Sequence, residues 1–275
     1  MDTHGYPFHV DPSIQEFFLD TDLVIGNLEG IITHLPKPLF ALSHTEKIIE
    51  ALSRIQSPEQ IALCVSNNHS SDFGHKAFQD SVNILSNNGL KIFGTKKSPS
   101  YMHTQRINIV GASMWSNKKN CSYITRFDET GQHLSKKPGC FNIFFPHWGY
   151  EIELWPRPEI IRLGYSLLDD WDMIFGHHSH VPQPITAVPK GHTNKLLAYS
   201  GGDLVTGIRF QKYRYGMIAK CTIGPIETSP ESLAVGSVEW MFTHVEQCLS
   251  SKPNKRGQSG FMVKTTPSCR YFRSI

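Results

Sequence analysis

Apolar positions fall into short runs separated by polar, glycine-bearing breaks. Six runs predict buried strands: 22–25 (DLVI), 61–66 (IALCVS), 107–111 (INIVG), 141–146 (FNIFFP), 172–175 (DMIF) and 196–200 (LLAYS). Each is brief and rich in β-branched or aromatic residues. Two longer stretches carry helical spacing. One is 76–86, with Phe78, Val82 and Leu85 on one face; the other is 158–170, with Ile160, Ile161, Leu163, Leu167 and Leu168. Strands alternating with helices predict an α/β sheet. Later the helical pattern thins out, and 215–223 (YGMIAKCTI) reads as part of a hairpin, so the sheet is mixed or a second sheet packs on the first.

The residues directly after each strand are more informative than the strand. DLVI runs into Gly26-Asn27-Leu28-Glu29-Gly30, IALCVS into Asn67-Asn68-His69, and FNIFFP into His147-Trp148-Gly149. DMIF runs into Gly176-His177-His178-Ser179-His180, and LLAYS into Gly201-Gly202-Asp203. Five strands thus deliver polar, ligand-type residues at their carboxyl ends, the edge where open α/β sheets form their binding crevice. Neutral imidazole, amide oxygen and carboxylate brought from separate segments suit a divalent transition metal. Glu29, Asn68, His69, His147, His178 and His180 supply that mixture. In extended chain, His178 and His180 face one way and His177 the other, which makes the first two ligands and His177 a neighbour that packs beside them.

Composition narrows the alternatives. With 39% hydrophobic and 19% charged residues, the chain can bury a sizeable core. One domain over 1–246 is expected, followed by a basic, loosely ordered tail over 247–275. After Glu246 there are six Lys/Arg and no acid, whereas the rest of the chain has 21 bases against 24 acids. The few aromatics of that tail, Phe261, Tyr271 and Phe272, form no repeating stacking pattern with its charges, so specific nucleic-acid binding is not expected. The six cysteines are never closer than 19 residues, which indicates neither a metal knuckle nor a compact disulfide framework. No apolar run is long enough for a membrane-spanning helix, and residues 1–13 lack the layout of a secretory signal. A cytoplasmic location is the default expectation.

The strings DLVIGNLEG (22–30), SNNHSSDFG (66–74), FPHWGYE (145–151), GHHSHVPQPI (176–185) and AYSGGDLV (198–205) resemble the CapA-type capsule or poly-γ-glutamate synthesis family. That family is a branch of the calcineurin-like metallophosphoesterase superfamily. The resemblance implies a four-layer α/β/β/α sandwich with mixed sheets and two divalent metal ions, Mn or Fe/Zn, at the strand ends. Glu29 would be the bridging carboxylate, Asn68, His147 and His178 would complete one metal site, and His180 would belong to the other. His69 would be the general acid that protonates the leaving oxygen. Asn27, Asp203 and His177 would stand beside these ligands or contact substrate.

The family opens with a strand ending in Gly-Asp, whose Asp ligates the first metal. This chain begins downstream of that place, so one site is expected to be short of a ligand. Asp2 and His4 form an Asp-Thr-His string like the superfamily's ligand pair, but no apolar strand precedes it. Asp203 stands where the commoner pattern has Asn, and is expected to hydrogen-bond a ligand histidine. The resemblance implies two alternative functions. One is a metal-dependent phosphoesterase-like hydrolase acting on a phosphoester or anionic polymer. The other is a non-catalytic or degenerate assembly factor of the cell envelope that retains the fold. The envelope is where the family implies such a chain works.

Overall fold

The computed structural model describes residues 8–128, 134, 136–191, 193–205, 211–249, 259–265 and 271–274. Its first half contains β1 (Phe8–Val10), α1 (Pro12–Phe18), β2 (Val24–Asn27), β3 (Ile31–Ile32), β4 (Ser43–His44), α2 (Lys47–Ser53), β5 (Ile61–Cys64) and α3 (Gly74–Asn87). Then come β6 (Lys91–Phe93), β7 (Ser100–His103), β8 (Ile107–Ser113), β9 (Phe141–His147), α4 (Pro158–Leu167) and β10 (Met173–Phe175). The further described strands are β11 (Ile185–Lys190), β12 (Thr193–Ala198), β13 (Tyr215–Ile226), β14 (Ser229–Leu249), β15 (Ser259–Thr265) and β16 (Tyr271–Ser274). Asp2 and His4 lie outside the described residues.

The protein is mixed α/β. A three-stranded parallel sheet has the order β2-β5-β6, and a six-stranded mixed sheet the order β11-β12-β10-β9-β8-β7. In the latter, β12, β10, β9 and β8 are parallel, with antiparallel β11 and β7 at the edges. A third sheet has the order β1-β15-β14-β13, with β16 also on β14. The hairpin expected around 215–223 is the antiparallel β13–β14 pair of that sheet. The expected domain boundary at 246 falls inside β14. The composition of 247–275 reads as a loosely ordered tail, yet its backbone supplies β15 and β16, both antiparallel to β14. Charge count does not register that a β-prone run such as FMV can pair within a sheet, here between β1 and β14.

The central strands are largely apolar because both faces are covered, and the two buried asparagines of β8 and β9, Asn108 and Asn142, hydrogen-bond to each other at 2.9 Å. Along β8, β9, β10 and β12, alternate residues go to opposite cores. Val110, Phe144, Ile174 and Leu197 pack with Ile160, Leu167, Trp148 and Trp171 on the α4 side. Ile109, Ile143, Phe145, Met173 and Leu196 pack instead with Val235 and Val238 of β14. A third cluster joins Ile14, Phe17 and Phe18 of α1 to Ile218, Met241 and Val245 of the third sheet. The strand ends therefore rest on a framework buried from two sides. Among the described residues, no helix is long and apolar enough to cross a membrane.

Gly176 shows how tightly one strand end is set. A Cβ there would collide with Trp148 Nε1 and the Tyr199 carbonyl oxygen, two atoms joined by a 2.9 Å hydrogen bond. Neither is the free end of a flexible side chain. Gly176→Ala is expected to destabilise the fold by about 1–3 kcal/mol through overpacking, read as a lower urea midpoint. An unchanged midpoint would contradict this packing.

Candidate metal centre

Glu29 sits in the turn after β2. Asn67 anchors that turn, its Nδ2 donating to the Leu28 carbonyl (2.9 Å) and to Asn27 Oδ1 (3.2 Å). His44 Nε2 donates to the Glu29 carbonyl at 2.7 Å, since a carbonyl only accepts. Gly30 has φ +96°, and a Cβ there would meet Leu42 backbone at 2.7–2.9 Å, so only glycine fits. Asn68 and His69 open a 3-10 turn over Asn68–Ser71 that comes after β5, entered through reciprocal hydrogen bonds between Asn67 and Ser70. His147 ends β9.

His178 and His180 lie beyond β10 and are not in extended chain. Both have positive φ, 105° and 60°, a conformation that costs non-glycine residues energy and clusters at functional sites. They share a side because of these left-handed turns, and not because of the period-2 alternation that predicts it. His177 does turn elsewhere: its ring packs 4.7 Å from Phe145 and 4.8 Å from His147. Neither of its ring nitrogens has a hydrogen-bond partner.

Glu29, His178 and His180 offer ligand atoms that all lie within 4.8 Å of one another. His180 Nε2 is 3.5 Å from Glu29 Oε1, and its Nδ1 donates to Asp203 Oδ1 at 3.0 Å. That hydrogen bond is the one expected of Asp203. The His147 ring lies 4.4 Å from that of His178, and its Nε2 donates to Asn68 Oδ1 at 2.8 Å. His69 Nε2 is 3.9 Å from Glu29 Oε1, while its Nδ1 meets Asp72 Oδ2 at 2.7 Å. Asn27 Nδ2 approaches Glu29 Oε2 at 3.4 Å. All nine residues singled out from sequence thus gather at one place.

Buried polar atoms without partners are rare in folded proteins. Here Glu29 Oε1, His147 Nδ1 and His178 Nδ1 are buried and accept or donate no hydrogen bond. Burial pushes Glu29 up to about 7, against the opposing pull of His180 and His69. Burial also pulls His178 down to about 3 and holds His147 and His177 well below the ordinary imidazole range, reinforced by neighbouring histidines. His180 goes the other way: burial opposes its charge, but Glu29 and Asp203 outweigh that and raise it to about 9. His147 and His178 are uncharged imidazoles with bare lone pairs beside the Glu29 carboxyl, and His180 would release its proton to a bound cation, so the donor set fits a divalent metal.

These shifts predict acid sensitivity of the metal-free protein. His147, His177 and His178 are neutral when folded but take up protons on unfolding below their ordinary value of 6.5. Their contribution to stability is intact above pH 6.5 and falls as pH descends toward the His178 value near 3. Glu29, raised to about 7, opposes this with one proton bound in the folded state. His180, raised to about 9, also opposes the effect above pH 6.5 but is mostly charged in both states by pH 5.5, so the three histidines outweigh Glu29 there and stability falls as pH is lowered from 6.5 to 5.5. Urea unfolding of chelator-treated protein at pH 6.5 and 5.5 checks this; equal stabilities would contradict it.

Residues 7–207 match the model of the family described as bacterial capsule synthesis protein PGA_cap. The chain belongs to this family. It is 27% identical, over 67% of its length, to the probable polyglutamine synthesis accessory protein of Mycobacterium tuberculosis, covering 56% of that protein. It is 24% identical, over 70% of its length, to the PGA biosynthesis protein CapA of Bacillus subtilis, covering 55% of that one. The chain therefore spans about half the length of the curated relatives it matches. It also resembles a hypothetical protein from Thermus thermophilus, known from a crystal structure, with a TM-score of 0.42, 15% identity, and 94% and 98% of the two chains covered.

Three residues near the site escape a reading of the family's strings for ligands. Asp72 lies inside SNNHSSDFG but is not a strand-end residue. Burial raises its carboxyl, yet hydrogen bonds from His69, Asn117 and Leu42 outweigh this and hold it below the ordinary carboxylate range. Tyr213 places its ring 5.2 Å from that of His180. Asn117 comes from the β8–β9 connection, in a stretch (SNKKN) without any periodicity or motif to mark it.

Proposed function

We propose that this chain is a metal-dependent, phosphoesterase-like hydrolase of the CapA type, with a role in making or exporting a capsule or poly-γ-glutamate polymer of the cell envelope. The observation that carries this reading is the group of half-buried Glu29 and buried His178 and His180, whose ligand atoms lie within 4.8 Å of one another. An acid candidate, His69, stands 3.9 Å from the same carboxylate. The matching four-layer α/β/β/α arrangement is part of the proposal. It is supported by a core between α4 and the central sheet, a core between the two sheets, and a core between α1 and the third sheet.

Glu29, Asn68, His147 and His178 would hold one divalent cation, and Glu29 with His180 a second. Bound there, such ions supply Lewis-acid polarisation of a phosphoryl oxygen and lower the pKa of water. The chain's own residues do the rest. Asp203 fixes the His180 ring through Nδ1, leaving Nε2 turned to Glu29. Asp72 accepts the Nδ1 proton of His69, so that Nε2 faces the site and can deliver a proton to the leaving oxygen.

Hydrolysis of nitrophenyl phosphate by chelator-stripped protein, with and without Mn²⁺, tests the reading. Activity that appears only with Mn²⁺ is the expected result. A protein that binds Mn²⁺ but hydrolyses no phosphoester would instead favour the envelope assembly factor.

A further inference from the structure

Asn117 is exposed, yet its side chain joins the two chemical halves of the site. Its Nδ2 donates to Asp72 Oδ1 at 2.9 Å and lies 3.1 Å from His69 Nδ1. Its Oδ1 accepts from Asn68 Nδ2 at 3.3 Å. Its backbone N–H donates to the Asn68 carbonyl at 3.0 Å, and the next residue, Lys118, donates from N to Ser71 Oγ and from Nζ to the Asp72 carbonyl. The loop is thereby clasped along the whole 3-10 turn that carries Asn68 and His69.

The chemistry of the partners sets the sense of each amide. An ionised carboxylate only accepts, so Asp72 turns the Asn117 NH₂ toward itself. The Asn117 carbonyl then faces Asn68, and only the Asn68 NH₂ can answer it. That leaves Asn68 Oδ1 pointing away, at His147 Nε2, 2.8 Å distant. The same Asp72 takes the His69 Nδ1 proton through its other oxygen. One anionic anchor thus orients two separate groups, and Asn117 is the link to one of them and the brace of the other.

We propose that Asn117 is a positioning residue that turns the Asn68 amide oxygen toward the metal centre and steadies the Asp72–His69 pair. This rests on the reading of Asn68 as a ligand and His69 as an acid. Two substitutions separate the two roles. Asn117→Asp can still accept from Asn68 but cannot donate to Asp72; Asn117→Ala does neither. Because the side chain is exposed, neither opens a cavity, and equal thermal midpoints without metal verify folding.

In calorimetric titration of the stripped proteins with Mn²⁺, Asn117→Ala is expected to bind about 10–100-fold more weakly than wild type. Asn117→Asp should bind within about threefold of wild type or tighter, since it keeps the acceptor and adds negative charge. In hydrolysis, Asn117→Asp should lose at least about tenfold in kcat on an alkyl phosphate and clearly less on nitrophenyl phosphate, whose leaving group departs without protonation. Wild-type Mn²⁺ affinity in Asn117→Ala overturns the orientation of Asn68. Equal losses on the two substrates in Asn117→Asp overturn the brace of His69. If wild type binds Mn²⁺ but hydrolyses neither substrate, the hydrolase reading fails while the affinity difference still decides the Asn68 half. A wild type that binds no Mn²⁺ overturns both.

Discussion

His69→Gln is expected to lower kcat on an alkyl phosphate by about 10²–10⁴-fold, the usual cost of losing a general acid. Glutamine keeps a side chain of similar reach and a hydrogen-bonding amide, so it can still meet Asp72, but it cannot release a proton to an alkoxide. The drop should shrink for nitrophenyl phosphate, whose phenolate leaves unassisted. Metal content should change little, because the His69 Nε2 atom stands 3.9 Å from Glu29 Oε1 and outside the tight Glu29–His178–His180 group. Steady-state kinetics on both substrates with metal analysis of the same samples is the measurement. Equal activity of wild type and variant on the alkyl phosphate would refute the acid role.

Glu29→Gln should have the other large effect, and it should show without any substrate. Wild-type protein that binds Mn²⁺ only when folded gains about 2.7 kcal/mol at a free concentration of 100 times Kd, seen as a rise in thermal midpoint. The variant should gain almost nothing, since an amide replaces the only carboxylate of the tight group. Without metal, however, the variant should be about as stable as wild type. Glu29 Oε1 is buried without a hydrogen bond and its carboxyl is pushed up to about 7 by that burial, so ionising it in the empty fold is a cost that glutamine avoids. A Mn²⁺-dependent midpoint shift equal to that of wild type would show that Glu29 is not a ligand.

The sequence carried the strand ends well because buried parallel strands advertise themselves as short apolar runs with glycine and ligand residues directly after them. Phe141–His147 and Ile61–Cys64 are such runs, buried at every position. Helix 158–170 was legible too, although its observed end is Leu167, where the apolar spacing gives way to Asp169 and Asp170. The approach of His178 and His180 was foreseen for a partly mistaken reason, because nothing in their one-letter spacing reports a positive φ. The pairing of 259–265 and 271–274 to β14 was hidden by charge, since it depends on backbone groups and not on net composition. Asp72 and Asn117 were hardest: they matter through contacts across 45 residues of chain, and no local pattern encodes such a contact.

Calorimetric titration of chelator-stripped wild-type protein and His178→Ala with Mn²⁺ tests the metal centre most directly. His178 brings to the tight group a buried imidazole that is neutral near pH 7 and has an unpartnered Nδ1. The wild type should show saturable binding with protons released, and the variant should lose at least about tenfold in affinity. Identical isotherms for the two proteins, or no saturable binding by the wild type, would contradict the account.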